Sequence, residues 1–157
     1  MANYSIYGGS IALALPDNWD DRSIYTFVAP EQSMSAGLPT MAKTQGFRPN
    51  VVVTREHKGR HERVDAYAKE QLNAQKQTRE MKNLTVVTEE NITVSGAPAI
   101  SRNFTFVVES QKATVQQLQV FVMHGTWIYT FTFSTLPAHF AEQKKMFDSV
   151  ISAVKLA

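Results

Sequence analysis

A chain of 157 residues with 43% hydrophobic and 19% charged residues is long enough for one domain with a real core, spanning 1–157, and too short for two. The net charge of +2 comes from scattered basic residues and gives no pull toward nucleic acid or anionic lipid. The absence of cysteine excludes disulfides, thiolate metal sites and thiol catalysis, and suits a reducing compartment.

Taken in order, Tyr4–Tyr7 and Ser10–Leu15 read as short strands broken at Gly8-Gly9. The apolar run Ile11–Leu15 has no basic residue before it and stops at Pro16-Asp17, so it reads as a strand and not as a secretion signal. No stretch approaches the roughly 20 apolar residues of a spanning helix. The expectation is a cytoplasmic protein that is not itself inserted in a membrane.

Arg22–Val28 is predicted as a strand with Tyr25 and Phe27 on one side and Ile24, Thr26 and Val28 on the other. Residues 29–50 hold Pro30, Gly37, Pro39, Gly46 and Pro49, so no regular element is expected there. Segments that long serve as functional lids or as disordered surface loops, and the composition fits both. Asn50–Arg55 is a further strand, and residues 61–82 form a helix whose narrow stripe is Val64, Tyr67, Ala68 and Leu72, with Asn83 as its stop. Leu84–Thr88, Glu90–Val94 and Ala99–Val108 follow as strands.

The stretch Gln116–Ser134 reads as a hairpin turning at His124-Gly125. Leu118, Val120 and Val122 point one way, and Gln117, Gln119, Phe121 and Met123 the other; Trp127, Tyr129, Phe131 and Phe133 alternate with Ile128, Thr130 and Thr132. Pro137 then opens a helix, near a cap at Thr135, with Phe140, Phe147, Val150, Ile151 and Val154 on one face. A block of strands between two helices predicts an α+β fold: a twisted antiparallel sheet with helices on one face and the opposite face open.

Catalytic and metal signatures are weak. His57 and His61 stand four apart, but Gly59 lies between them and no third ligand is specified. Asp17, Asp20 and Asp21 offer an acid–base pair, yet Asp residues after proline usually shape a turn. No nucleophile motif or phosphate loop is present. The reading is a protein without a cofactor and without enzymatic turnover.

What remains is the second sheet face. The alternation collects Ile24, Thr26, Val28, Asn50, Val52, Thr54, Asn103, Thr105, Val107, Gln117, Gln119, Phe121, Ile128, Thr130 and Thr132 into one uncharged surface. Such a surface suits a transmembrane helix held out of lipid, because β-branched and small side chains allow close approach and Gln or Thr bonds the guest. On pattern alone, a second copy of the chain, or segment 29–50, covering the face permanently explains it at least as well.

Residues 10–27 (SIALALPDNWDDRSIYTF), 50–56 (NVVVTRE), the helical AYAKEQL and the closing WIYTFTFS together resemble the Eag chaperones, DcrB-related proteins of PsbP-like fold associated with type VI secretion effectors. The most specific part is LPDNWDDRSI, similar to the family start lP-(D/E)-x-W-x-D-x-(T/S). The resemblance implies a cytoplasmic homodimer that holds the N-terminal transmembrane segments of a PAAR-containing effector before loading onto the secretion spike. It also implies groove positions at Ile24, Thr26, Asn50, Val52 and Thr54, with Gln119 and Gln71 as polar groove residues. Segment 29–50 departs from the family in its length. A non-catalytic structural or adaptor subunit of the same fold is the alternative.

Overall fold

The computed structural model describes residues 1–6, 9–19, 22–29 and 48–157. Within them the elements are β1 (Ala2–Ile6), β2 (Ile11–Leu15), β3 (Tyr25–Val28), β4 (Asn50–His57), α1 (Val64–Lys76), β5 (Met81–Val94), β6 (Ala97–Val108), β7 (Ala113–His124), β8 (Trp127–Thr135) and α2 (Phe140–Ser152). β1 and β2 pair as a separate hairpin, and the other strands form a six-stranded sheet in the order β3-β4-β8-β7-β6-β5. Every neighbouring pair in it is antiparallel.

The β7–β8 hairpin lies at the centre of this sheet. Its register pairs His124 with Trp127, so Gly125 and Thr126 make the two-residue turn, one position later than the sequence predicts. Gly125 has φ +60°, which a glycine at the first turn position adopts without strain. On one face Leu118, Val120, Val122, Phe131 and Phe133 pack with Phe140, Phe147 and Ile151 of α2. On the other, Phe121, Met123, Ile128 and Ile100 pack with Val64, Tyr67 and Ala68 of α1. The antiparallel α+β architecture is the one the strand pattern predicts. The helices divide the faces between them, however: α1 crosses the β5, β6 and β7 part of the second face, and the open area is confined to β3, β4 and β8.

Several boundaries differ from expectation for identifiable reasons. α1 ends at Lys76, well before residue 82, and β5 starts at Met81. Asn83, expected to stop the helix, sits inside β5 with φ +53°, where the β5–β6 register shifts between Lys82 and Thr85. A left-handed asparagine suits a bulge as well as a helix end, and sequence does not distinguish them. β5 runs through to Val94 as one edge strand instead of two. Pro137 opens a short 3-10 turn before α2, with no side-chain cap from Thr135, which ends β8. Of the expected α2 stripe, Val150 is exposed and Val154 lies beyond the helix, half-buried.

The centre of the α2 side is the contact between the rings of Phe133 and Phe147, 4.6 Å apart and both almost fully buried. Replacing Phe147 by Ala removes that packing and leaves a cavity, so stability is expected to fall by about 3–5 kcal/mol, read as a lower urea midpoint.

Candidate functional site: an uncharged strip beside a helix

Register determines what shares the open area. Thr26 and Val28 of β3 stand opposite Val52 and Asn50 of β4. Val52 and Thr54 in turn face Thr132 and Thr130 of β8, and Asn50 faces Ser134. Gln117 and Gln119 of β7 face Ser134 and Thr132 from the far side. The result is a strip of Thr, Ser, Val, Asn and Gln without a charged side chain, bordered by α1. Thr26 and Val28 are exposed, Asn50, Val52 and Thr54 half-buried, and Gln119 is buried beside the helix.

Most residues named from sequence therefore come together, with four differences. Thr105 lies on the α2 side with Asn103 and Val107, because β6 pairs Arg102 with Gln119 and Phe104 with Gln117, reversing the assumed parity. Phe121 faces the strip's side of the sheet but is buried under α1, its ring 5.7 Å from that of Tyr67. Ile24 precedes β3 and is 66% exposed, at the margin of the strip. Gln71 is half-buried on α1, but the helix glutamine that bonds the sheet is Gln75.

Hydrogen bonds order this surface. Gln75 Nε2 donates to Gln119 Oε1 at 2.9 Å, and Gln119 Nε2 donates to Thr132 Oγ1 at 3.1 Å. In parallel, Gln117 Nε2 donates to Ser134 Oγ at 2.9 Å. Asn50 Nδ2 is engaged with the Arg48 carbonyl at 3.1 Å. Such pairing is what keeps buried amides from costing stability.

Sequence reasoning missed the residues that hold α1 in place. Arg102, 1% exposed, lies beneath the helix; its Nη2 donates to the Ala68 carbonyl at 2.6 Å and its Nε to Glu89 at 3.0 Å. Its guanidinium carbon stands 5.5 Å from the Phe121 ring. At the helix start Tyr67 donates its hydroxyl to Glu56, and Glu70 accepts from Arg60 at 2.6 Å and bonds His61 Nε2 at 2.7 Å. The His61 bond, and then the Arg60 bond, hold the Glu70 carboxyl below the usual range. Gln75 was legible in principle, since it continues the Val64, Ala68 stripe two turns on from Ala68.

The other sequence candidates lie elsewhere. His57 stacks on Trp127 at the end of β4, with Arg55 over the same ring, while His61 precedes α1. Among the described residues no His, Asp and Glu group is arranged to hold a metal ion. Asp17 pairs with the Met1 amino group at 2.8 Å; Asp20, Asp21 and residues 30–47 fall outside the described residues. A pocket of about 240 Å³ lined by Ser23, Tyr25, Val53, Thr54, Arg55 and Tyr129 lies mainly on the opposite face of β3, β4 and β8 and shares only Thr54 with the strip. No helix among the described residues is long and apolar enough to cross a membrane.

Comparison with known proteins gives the class. The DcrB family model matches residues 11–153, and the chain belongs to that family. A solved structure of a protein of unknown function from Pseudomonas aeruginosa, provisionally a regulator, superposes with a TM-score of 0.75 at 21% identity, covering 100% of this chain and 97% of that one. Cyanobacterial PsbP from Synechocystis sp. PCC 6803 superposes with a TM-score of 0.57 at 12% identity, covering 99% and 92%. The fold is thus PsbP-like. No curated protein matches the sequence.

The Tyr67–Glu56 bond gives a pH signature. Burial first, and then the bond to Glu56 and its charge, push the Tyr67 phenol well above its ordinary 10.0. The unfolded chain ionises this phenol near pH 10 while the folded one keeps its proton, so the stabilisation is complete below that pH and is lost as pH rises above it. Urea midpoints measured from pH 8 to 11.5 should fall less steeply at the alkaline end in Tyr67→Phe than in the unaltered protein.

Proposed function

We propose that the chain is an Eag-type chaperone of type VI secretion, which shields the N-terminal transmembrane helices of a PAAR-containing effector until they are loaded onto the secretion spike. The single observation that carries this reading is the uncharged strip of β3, β4 and β8, lined by Thr, Val, Asn and Gln and bordered by α1. A sheet face left to water ordinarily shows lysine and glutamate. This one offers apolar area for a helix, together with neutral groups that meet its polar atoms without demanding a counter-charge.

The LPDNWDDRSI start and the DcrB family membership support the same direction. On this reading the protein is a cytoplasmic homodimer that carries no cofactor and performs no catalysis. Its affinity comes mainly from client apolar area removed from water, about 25 cal/mol per Å² before the cost of association.

The test is co-expression with an effector's N-terminal region, followed by pull-down with and without its apolar helices. Recovery should depend on those helices. Val52→Asp or Ile24→Asp should reduce it at least tenfold while the circular dichroism spectrum stays unchanged, because a carboxylate facing a hydrocarbon surface must be desolvated. Undiminished recovery of the client by both variants would remove the strip from the binding surface. Recovery of a partner independent of the apolar helices would favour the adaptor reading.

A further inference from the structure

The direction of the hydrogen bonds in the strip decides what chemistry it offers a guest. Thr132 Oγ1 accepts from Gln119 Nε2 at 3.1 Å, and Ser134 Oγ accepts from Gln117 Nε2 at 2.9 Å. The sense of the first bond is enforced from behind, because Gln119 Oε1 is occupied by Gln75 Nε2 at 2.9 Å and its amide nitrogen is what remains for Thr132. A hydroxyl that accepts through its oxygen still has its own hydrogen to give. Both glutamines thus approach from β7, and both hydroxyls on β8 keep a hydrogen to give, with Val52 and Asn50 of β4 as their cross-strand neighbours; Thr132 is half-buried, and Ser134, 6% exposed, lies deeper.

Resting on the reading of the strip as a helix-binding groove, we infer that Thr132 and the deeper Ser134 form a two-rung donor ladder that selects guest helices carrying oxygen acceptors four residues apart. The spacing supports this. Thr132 and Ser134 are two residues apart on one strand face, roughly 6.7 Å. Side chains four residues apart on a helix are separated by about 6 Å along its axis, so a guest lying along β8 places two serine or threonine oxygens over the two donors. Serine and threonine are also the small residues that let an apolar helix approach a sheet closely. Gln75 acts as a positioning residue: it touches no guest, but it fixes which end of the Gln119 amide faces Thr132. Its own Oε1 is buried without a partner, so its amide nitrogen, committed to Gln119, is the only polar group by which this side chain is anchored.

The experiment uses the full chain and three apolar helical peptides of Leu and Ala with lysines at both ends. One carries two serines four residues apart, a second carries them two residues apart, and the third has alanine at those positions. The unaltered protein should bind the four-apart serine peptide roughly five- to tenfold more tightly than the alanine peptide, the gain expected of one or two neutral hydrogen bonds, and more tightly than the two-apart peptide. Thr132→Val, equal in shape, should remove most of that preference, so that the four-apart serine peptide and the alanine peptide bind with similar affinity. Thr132→Ser should retain it, and Gln75→Leu should weaken it by freeing the Gln119 amide to turn. Binding of all three peptides with equal affinity by the unaltered protein overturns the ladder and leaves the groove standing. A serine preference that survives Thr132→Val also overturns it. Failure of every peptide to bind the folded protein overturns the ladder together with the groove.

Discussion

The alternation of β7 is the constraint on which the rest of the structure depends. One set of its side chains, Leu118, Val120 and Val122, lies in the layer closed by α2, and the other, Phe121 and Met123, in the layer closed by α1. No residue from Ala113 to Met123 is acidic or basic, so neither face of this strand is designed for water. Slipping the β7–β8 pairing by one residue would send Gln117 and Gln119 among the aromatics of the α2 side and expose Leu118 and Val120 instead. The central register is therefore fixed by burial on both faces at once. The position of the strip follows from it, since the same register brings Thr132 and Ser134 beside the two glutamines.

The cover on the α1 side is of a different kind. Where α2 meets the sheet through phenylalanines and isoleucine, α1 contributes Val64, Tyr67 and Ala68 from its first half and then rests on polar groups, Arg102 and Gln119. A buried guanidinium is expensive unless it is bonded, and here it takes a helix carbonyl and a carboxylate. Hydrogen bonds have direction, whereas apolar contacts slide. A helix held by Arg102 to Ala68 and by Gln75 to Gln119 is consequently fixed along its axis as well as against the sheet, and it forms a wall of defined position beside the strip.

Much of this was legible in the sequence, and the failures have physical causes. The period-two pattern of β7 and β8 gave both faces correctly, since a centre strand buried on both sides leaves a clean record in residue type. β4, only half-buried, was placed by its β-branched run Val51–Thr54. β6 was not, because Asn103 and Thr105 read as outward residues while Phe104 and Phe106 read as core. In the structure both sides of that strand are covered, with Phe104 and Phe106 under the α1 side and Asn103 buried on the other. Polarity marks exposure only where one face is wet. Arg102 escaped notice on the same ground, for a lone arginine in a strand reads as solvated until its carbonyl and carboxylate partners are known. The length of α1 was overestimated because residues 77–82 favour a helix locally, and the pairing of Met81 and Lys82 with Val108 and Val107 overrides that preference.

The composition of the strip also bears on how a transient binder differs from a permanent one. A face of valine, leucine and phenylalanine would hold a helix well, but it would be costly to leave in water and would join other such faces. A face of charges would stay solvated and would reject an apolar guest. Threonine, serine, valine and amides held by their own neighbours lie between these limits. When the strip is empty, Gln119 and Gln117 are already satisfied by Thr132 and Ser134, so little is lost to water. Filled by a helix as proposed, it would place its apolar methyls in contact and give the remaining hydroxyl hydrogens acceptors. On the proposed function, the difference in free energy between the two states is thereby kept small relative to the area covered, as holding a helix and then surrendering it would require.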